Sequence, residues 1–175
     1  MNKNQLLEAL QKEVAGYNDI IATDKGDWIV KGFIDIYERI YTISIDTKVV
    51  SKVIELLLIP AFEDFAKKYD LTLELPPQQN FYPDLSFTSN QTGEKFAVDI
   101  KSTFLDNRGK GKSMTLGAFT GYFRNRKSTK NTLHPYGEYA AHLVLGVVYS
   151  QNEVNPNEKT IYSLGELKTI GPKTQ

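Results

Sequence analysis

Apolar positions along this chain recur with two periods. Leu6, Leu7, Leu10 and Val14 lie three to four residues apart, which predicts an amphipathic helix over residues 4–15. A longer series (Val49, Val50, Val53, Ile54, Leu57, Leu58, Phe62, Phe65, Ala66) predicts a second helix over 49–68, with Asp46 or Thr47 as its cap. Pro60 falls inside it and should kink or split it, because proline lacks the N–H and its ring crowds the preceding turn. Elsewhere the period is two. Residues 39–45, 84–89 and 94–103 alternate, and the last two are joined by Asn90-Gln91-Thr92-Gly93 as a hairpin. Residues 71–75 form a short strand that stops at Pro76-Pro77, and 144–149 predicts a buried strand. Residues 20–31 read as a turn, Asp24-Lys25-Gly26-Asp27, between short strands. Residues 115–122 fit neither period. Helices mixed with hairpins, and no repeat or linker, imply one α/β (α+β) domain over 1–175 around a central sheet.

The hairpin carries the candidate chemistry. Phe96, Val98 and Ile100 share one face of the second strand, and Ala97, Asp99 and Lys101 the other. In the first strand Leu85 and Phe87 match the apolar face, and Asp84, Ser86 and Thr88 the polar one. A four-residue loop pairs Ser89 with Glu94 and sets Asp84 opposite Asp99, with β-carbons about 5 Å apart. Two carboxylates so placed repel unless something positive lies between them. A divalent cation supplies that charge, and Mg²⁺ takes oxygen ligands. The Ile100 carbonyl is a further candidate ligand. Lys101, one pleat beyond Asp99, can reach a metal-bound water or a phosphate oxygen. Glu55, on the preceding helix among Ile54, Leu56, Leu57 and Leu58, is a third acid that can point into the same cleft. The plain alternative is a solvated strand whose Asp99 and Lys101 make ordinary surface ion pairs.

Composition narrows the classes. There is no cysteine, so thiolate catalysis and cysteine zinc sites are excluded, and two histidines, His134 and His142, are too few for an all-histidine metal site. Each histidine reads as a surface or core residue, and Trp28 as packing. At 41% hydrophobic and 24% charged, with no long apolar run, the chain predicts a soluble cytoplasmic protein and no membrane partner. Its formal charge of 0 hides an asymmetry. Lys101 to Lys130 holds eight basic residues and one acid, Asp106, a local +7, with Phe104, Phe119, Tyr122 and Phe123 interleaved. Such a stretch binds polyanions by local field. Gly111-Lys112-Ser113 imitates a phosphate-binding loop, but Asp106 stands where that pattern needs glycine.

Pro83-Asp84, then Asp99-Ile100-Lys101, resembles the PD-(D/E)xK nucleases. The flanks are more specific. Asp46-Thr47-Lys48-Val49, Glu55-Leu56, Gln78-Gln79-Asn80 with Tyr82-Pro83-Asp84, Thr103, Thr115-Leu116-Gly117, Phe123-Arg124-Asn125 and Tyr139-Ala140-Ala141-His142 resemble the EcoRV-like type II restriction endonucleases in order and spacing. The likeness covers about residues 5–165.

The resemblance implies a restriction-endonuclease-like fold, a central mixed β-sheet flanked by helices with a catalytic β-hairpin. It implies a homodimer, joined through the N-terminal helix and neighbouring strands, that clasps double-stranded DNA. It further implies Mg²⁺-dependent cutting of a short palindrome to leave 5′-phosphate ends, and a cognate DNA methyltransferase as a genetic rather than physical partner. Asp84 and Asp99 would be metal ligands, Lys101 would activate water and stabilise phosphorane charge, and Glu55 would be an auxiliary acid or second-metal ligand. Gln78, Gln79 and Asn80 would lie at the minor groove, and Lys48, Ser102, Thr103 and Arg124 at phosphates. Relative to that family the chain is expected to stop short, at Gln175, before the main major-groove reading loop. A catalytically silent remnant that only dimerises and binds DNA without sequence preference is the alternative. Phe81 also departs from the family, replacing a more polar residue in the glutamine loop.

Overall fold

The computed structural model describes residues 1–43, 47–105, 121–150, 160–169 and 173–174. The first helix, α1 (Lys3–Ile21), outruns the predicted 4–15 because Tyr17 and Ile21, both buried, carry the apolar spacing past Gly16. Asn2 caps it, its Oδ1 accepting from the N–H groups of Asn4 and Gln5 at 3.0 and 3.1 Å. Residues 20–31 therefore do not form two strands. They make an isolated bridge, Ala22 to Trp28, around a turn in which Gly26 takes φ 76°. Strands β1 (Gly32–Ile34) and β2 (Ile40–Thr42) follow, the second shorter than predicted. Helix α2 (Thr47–Lys68) runs on through Pro60 and is not split. Buried Leu58 and Phe62 flank that proline, and Phe65 and Ala66 hold the last turns. Asp46, the other candidate cap, lies outside the described residues.

Then come β3 (Leu71–Glu74), β4 (Leu85–Ser89), β5 (Lys95–Leu105), the short helix α3 (Gly121–Arg124), β6 (Tyr139–Ser150), β7 (Ile161–Tyr162) and β8 (Lys173–Thr174). Most of the 115–122 segment lies outside the described residues. β1, β2 and β7 form an antiparallel sheet, and the other strands run β3-β4-β5-β6-β8 in a mixed one. This is an α+β, restriction-endonuclease-like fold. β6 is longer than the predicted buried strand and less covered, with Val144 at 55% and Val148 at 38% exposure, while Tyr149 is fully buried.

The chain divides into two compact units, each built from three segments. The first holds Met1–Ala15, Ile59–Lys101 and Met114–Gly146. Its core is the end of α2 laid on β4. Phe62 and Phe65 meet Phe87 at ring-centroid distances of 6.2 and 5.3 Å, beside buried Leu85, Phe96 and Val98. The second holds Gly16–Leu58, Ser102–Ser113 and Val147–Gln175. Its core is Trp28, packed on Tyr149 at 6.1 Å, with Val50, Ile54 and Ile40 buried. Among the described residues no helix is long and apolar enough to cross a membrane.

Candidate active site

The β4–β5 hairpin has the expected register. Leu85 pairs with Val98, Ser86 with Ala97, Phe87 with Phe96 and Thr88 with Lys95. The loop closes with Ser89 N–H donating to the Glu94 carbonyl at 2.9 Å, and Gly93 supplies φ 72°, a conformation that favours glycine. The ladder ends at Leu85, so Asp84 sits one place beyond it. Its Oδ2 accepts from the Ile100 backbone N–H at 2.6 Å, which continues the pairing through a side chain.

That bond turns Asp84 toward Asp99 and Lys101. The Lys101 ammonium is 2.5 Å from Asp99 Oδ2, 3.9 Å from Asp84 Oδ2 and 3.4 Å from the Ile100 carbonyl oxygen. One cation thus meets two carboxylates and a carbonyl, the three groups that the sequence marks as candidate metal ligands. The pair is no solvated surface pair, since Asp99 is only 7% exposed. Burial of a carboxylate is costly unless a counter-charge accompanies it. The donor set fits a hard divalent cation, which takes oxygen ligands and keeps waters of its own. Among the described residues no group of three or more His, Cys, Asp or Glu side chains forms a metal site, so two carboxylates are the acidic complement here.

An aromatic cluster backs the aspartates. Tyr82 stacks on Tyr122 at 4.7 Å and 18°, and Tyr136 on His142 at 3.7 Å and 11°. Burial, then nearby Tyr136 and Asp99, raises the Tyr82 hydroxyl far above its ordinary range, and burial pushes Tyr139 up to about 12. Burial lowers His142, and Arg126 adds to that. Arg126 lies over the Tyr136 ring at 5.7 Å. The sequence marked none of these aromatic contacts as functional; the interleaving of tyrosines with basic residues was the available signal.

The other predicted residues are placed as follows. Gln78, Gln79 and Asn80 are exposed on the β3–β4 loop, in the same unit as the aspartates. Arg124 ends α3, exposed, with Arg126, Lys127 and Lys130 exposed beyond it. Arg108, Lys110 and Lys112 lie outside the described residues. Glu55, Lys48, Ser102 and Thr103 belong to the second unit. Glu55 is held 2.7 Å from Lys52, Ser102 Oγ is 2.6 Å from Ser51 Oγ, Thr103 is buried and Lys48 is exposed. His134 bonds Glu74 at 3.1 Å.

The model of the family "Restriction endonuclease EcoRV" matches residues 24–175, which include the whole hairpin. The chain belongs to the EcoRV restriction endonuclease family. It is 34% identical over 142 residues to the type II restriction enzyme EcoRV of Escherichia coli, covering 81% of this chain and 57% of that protein. The chain thus spans a little over half the length of this EcoRV relative.

Proposed function

We propose that the chain is a Mg²⁺-dependent, site-specific type II endodeoxyribonuclease. It hydrolyses phosphodiester bonds in both strands of duplex DNA at a short palindrome and leaves 5′-phosphate ends. The convergence of Asp84, Asp99 and the Ile100 carbonyl on one cation position carries this reading. Membership of the EcoRV family supports it.

Asp84, Asp99 and the Ile100 carbonyl would hold Mg²⁺. There the metal would supply positive charge to the scissile phosphate and the leaving oxygen and would lower the pKa of water. Asp84 is held ready by the Ile100 N–H, so its carboxylate needs little reorganisation before reaction. Lys101 turns its ammonium from the carboxylates to the substrate, orients the attacking water and stabilises charge developing on phosphorus. Glu55 acts as an auxiliary acid or second ligand after leaving Lys52. Gln78, Gln79 and Asn80, exposed on their loop, reach the minor groove. Lys48, Ser102, Thr103 and Arg124 contact phosphates, and these contacts set affinity rather than sequence choice. The active form is a homodimer. Exposed apolar residues around the three-stranded sheet, among them Phe33, Ile34 and Ile161, support an interface there.

The test is cleavage of a mixed-sequence plasmid with Mg²⁺, beside Asp99→Ala, with the ends sequenced. Discrete fragments that disappear in the variant are expected. An unchanged Asp99→Ala rate would overturn the reading. A wild-type protein that binds DNA with strong salt dependence and never cuts would establish the silent remnant instead.

A further inference from the structure

Tyr82 precedes Pro83-Asp84, and two separate sets of bonds fix it. Its backbone N–H donates to the Asn131 carbonyl at 2.9 Å, and its carbonyl accepts from Leu133 N–H at 2.8 Å. Its hydroxyl lies 2.8 Å from His142 Nδ1, and His142 Nε2 lies 3.2 Å from the Tyr136 carbonyl oxygen. A carbonyl only accepts, so Nε2 carries the proton and donates to it. Burial favours the neutral imidazole, and in that form Nδ1 is the acceptor and the Tyr82 hydroxyl donates to it. The stack of His142 on Tyr136 fixes the ring plane.

We propose that Tyr82 and His142 are positioning residues for Asp84, acting as one hydrogen-bonded unit. The relay runs from the Tyr136 carbonyl through His142 to the Tyr82 hydroxyl, and from Tyr82 along two covalent links to Asp84. Asp84 is where such support matters, because the β4–β5 ladder ends at Leu85 and the carboxylate reaches Ile100 from outside it. A side chain that must hold its oxygen within a few tenths of an ångström needs its neighbours locked. Neither residue is among the groups proposed above to meet the reacting atoms. The inference rests on the nuclease reading above and adds two residues to it.

The test compares wild type with Tyr82→Phe, His142→Leu, His142→Asn and the Tyr82→Phe/His142→Leu double variant. Single-turnover cleavage rate, DNA affinity without metal and thermal unfolding are measured for each. Tyr82→Phe keeps the ring stacks and removes one hydroxyl, so it should fold. It should cut about tenfold more slowly at unchanged DNA affinity, as expected for a modest misplacement of a catalytic group. His142→Leu should do the same. His142→Asn, whose amide oxygen can accept from the tyrosine, should recover to within about threefold of wild type, and the double variant should be no slower than the slower single, as for residues acting together. A wild-type rate in Tyr82→Phe overturns the proposal. So does a rate loss matched by an equal loss of DNA affinity or folding in every variant, or additive effects in the double variant. Wild-type protein that does not cut removes the nuclease reading itself, an outcome distinct from equal cutting by wild type and variants.

Discussion

Two hairpins among the described residues invert the usual placement of residues in opposite ways. The β4–β5 hairpin puts charge inside: Asp99 is 7% exposed, with Ser86 and Ala97 fully buried on the same face. The β1–β2 hairpin puts apolar groups outside, with Ile34 at 58%, Ile36 at 89% and Tyr37 at 72% exposure. The first is held by sheet neighbours on both sides. The second has a sheet neighbour, β7, on one side only, and its turn is held by Asp35, which accepts from the N–H groups of Tyr37 and Arg39, from Arg39 Nε and from the Tyr41 hydroxyl. Burial of charge requires a counter-cation, and exposure of apolar surface is relieved by a partner. Under the function proposed above, the first hairpin is the place for chemistry and the second the place for association.

Variants should break that contrast in graded steps. Asp99→Ala should lower cleavage by at least about a thousandfold while metal-free DNA binding stays near wild type, read by plasmid cutting and by titration of a labelled duplex. Lys101→Met should slow cleavage and also destabilise the metal-free chain by about 2 kcal/mol. This is less than for a fully buried pair, since Lys101 is 21% exposed. Thermal unfolding should show that loss, and added Mg²⁺ should recover it. Ile34→Lys in the other hairpin should leave unfolding within about 0.5 kcal/mol of wild type but shift the sedimentation equilibrium toward monomer. Arg124→Ala should do least, reducing the slope of log affinity against log salt by about 1.

A pH series sharpens the first region further. His142 is held below its ordinary 6.5 by burial, so the folded chain resists its protonation more than the unfolded chain does. Its neutral form contributes stability that is complete above the unfolded value and is lost as pH falls from 6.5 toward the folded one. His142→Asn should flatten that acid limb of the melting curve.

The hairpin and its register were legible because alternation has a period of two and the loop length fixes the pairing. Asp84, Asp99, Ile100 and Lys101 followed from that register. The sequence offered an Asp99–Lys101 pair only as a solvated one; the burial of Asp99 and the approach of the same ammonium to Asp84 and the Ile100 carbonyl were not legible, because side-chain reach is invisible in a pattern of faces. The Tyr82–His142 bond joins residues 60 apart in sequence, and no local spacing announces such a contact. Helix α2 shows a different limit. Pro60 predicts a kink or a split, and the helix is not split, because burial of Phe62, Phe65 and Ala66 holds it beyond the proline. In β6 an apolar run suggested full burial, and the strand instead leaves Val144 and Val148 exposed.

The central claim is that one cation position is shared by Asp84, Asp99 and the Ile100 carbonyl, and that the Lys101 ammonium lies at it. Titration with Mn²⁺, followed by electron paramagnetic resonance in wild type, Asp99→Ala and Lys101→Met, tests it most directly. The account predicts saturable binding in wild type, its loss in Asp99→Ala and tighter binding in Lys101→Met, where the competing ammonium is gone. Equal Mn²⁺ affinity in all three proteins would contradict it.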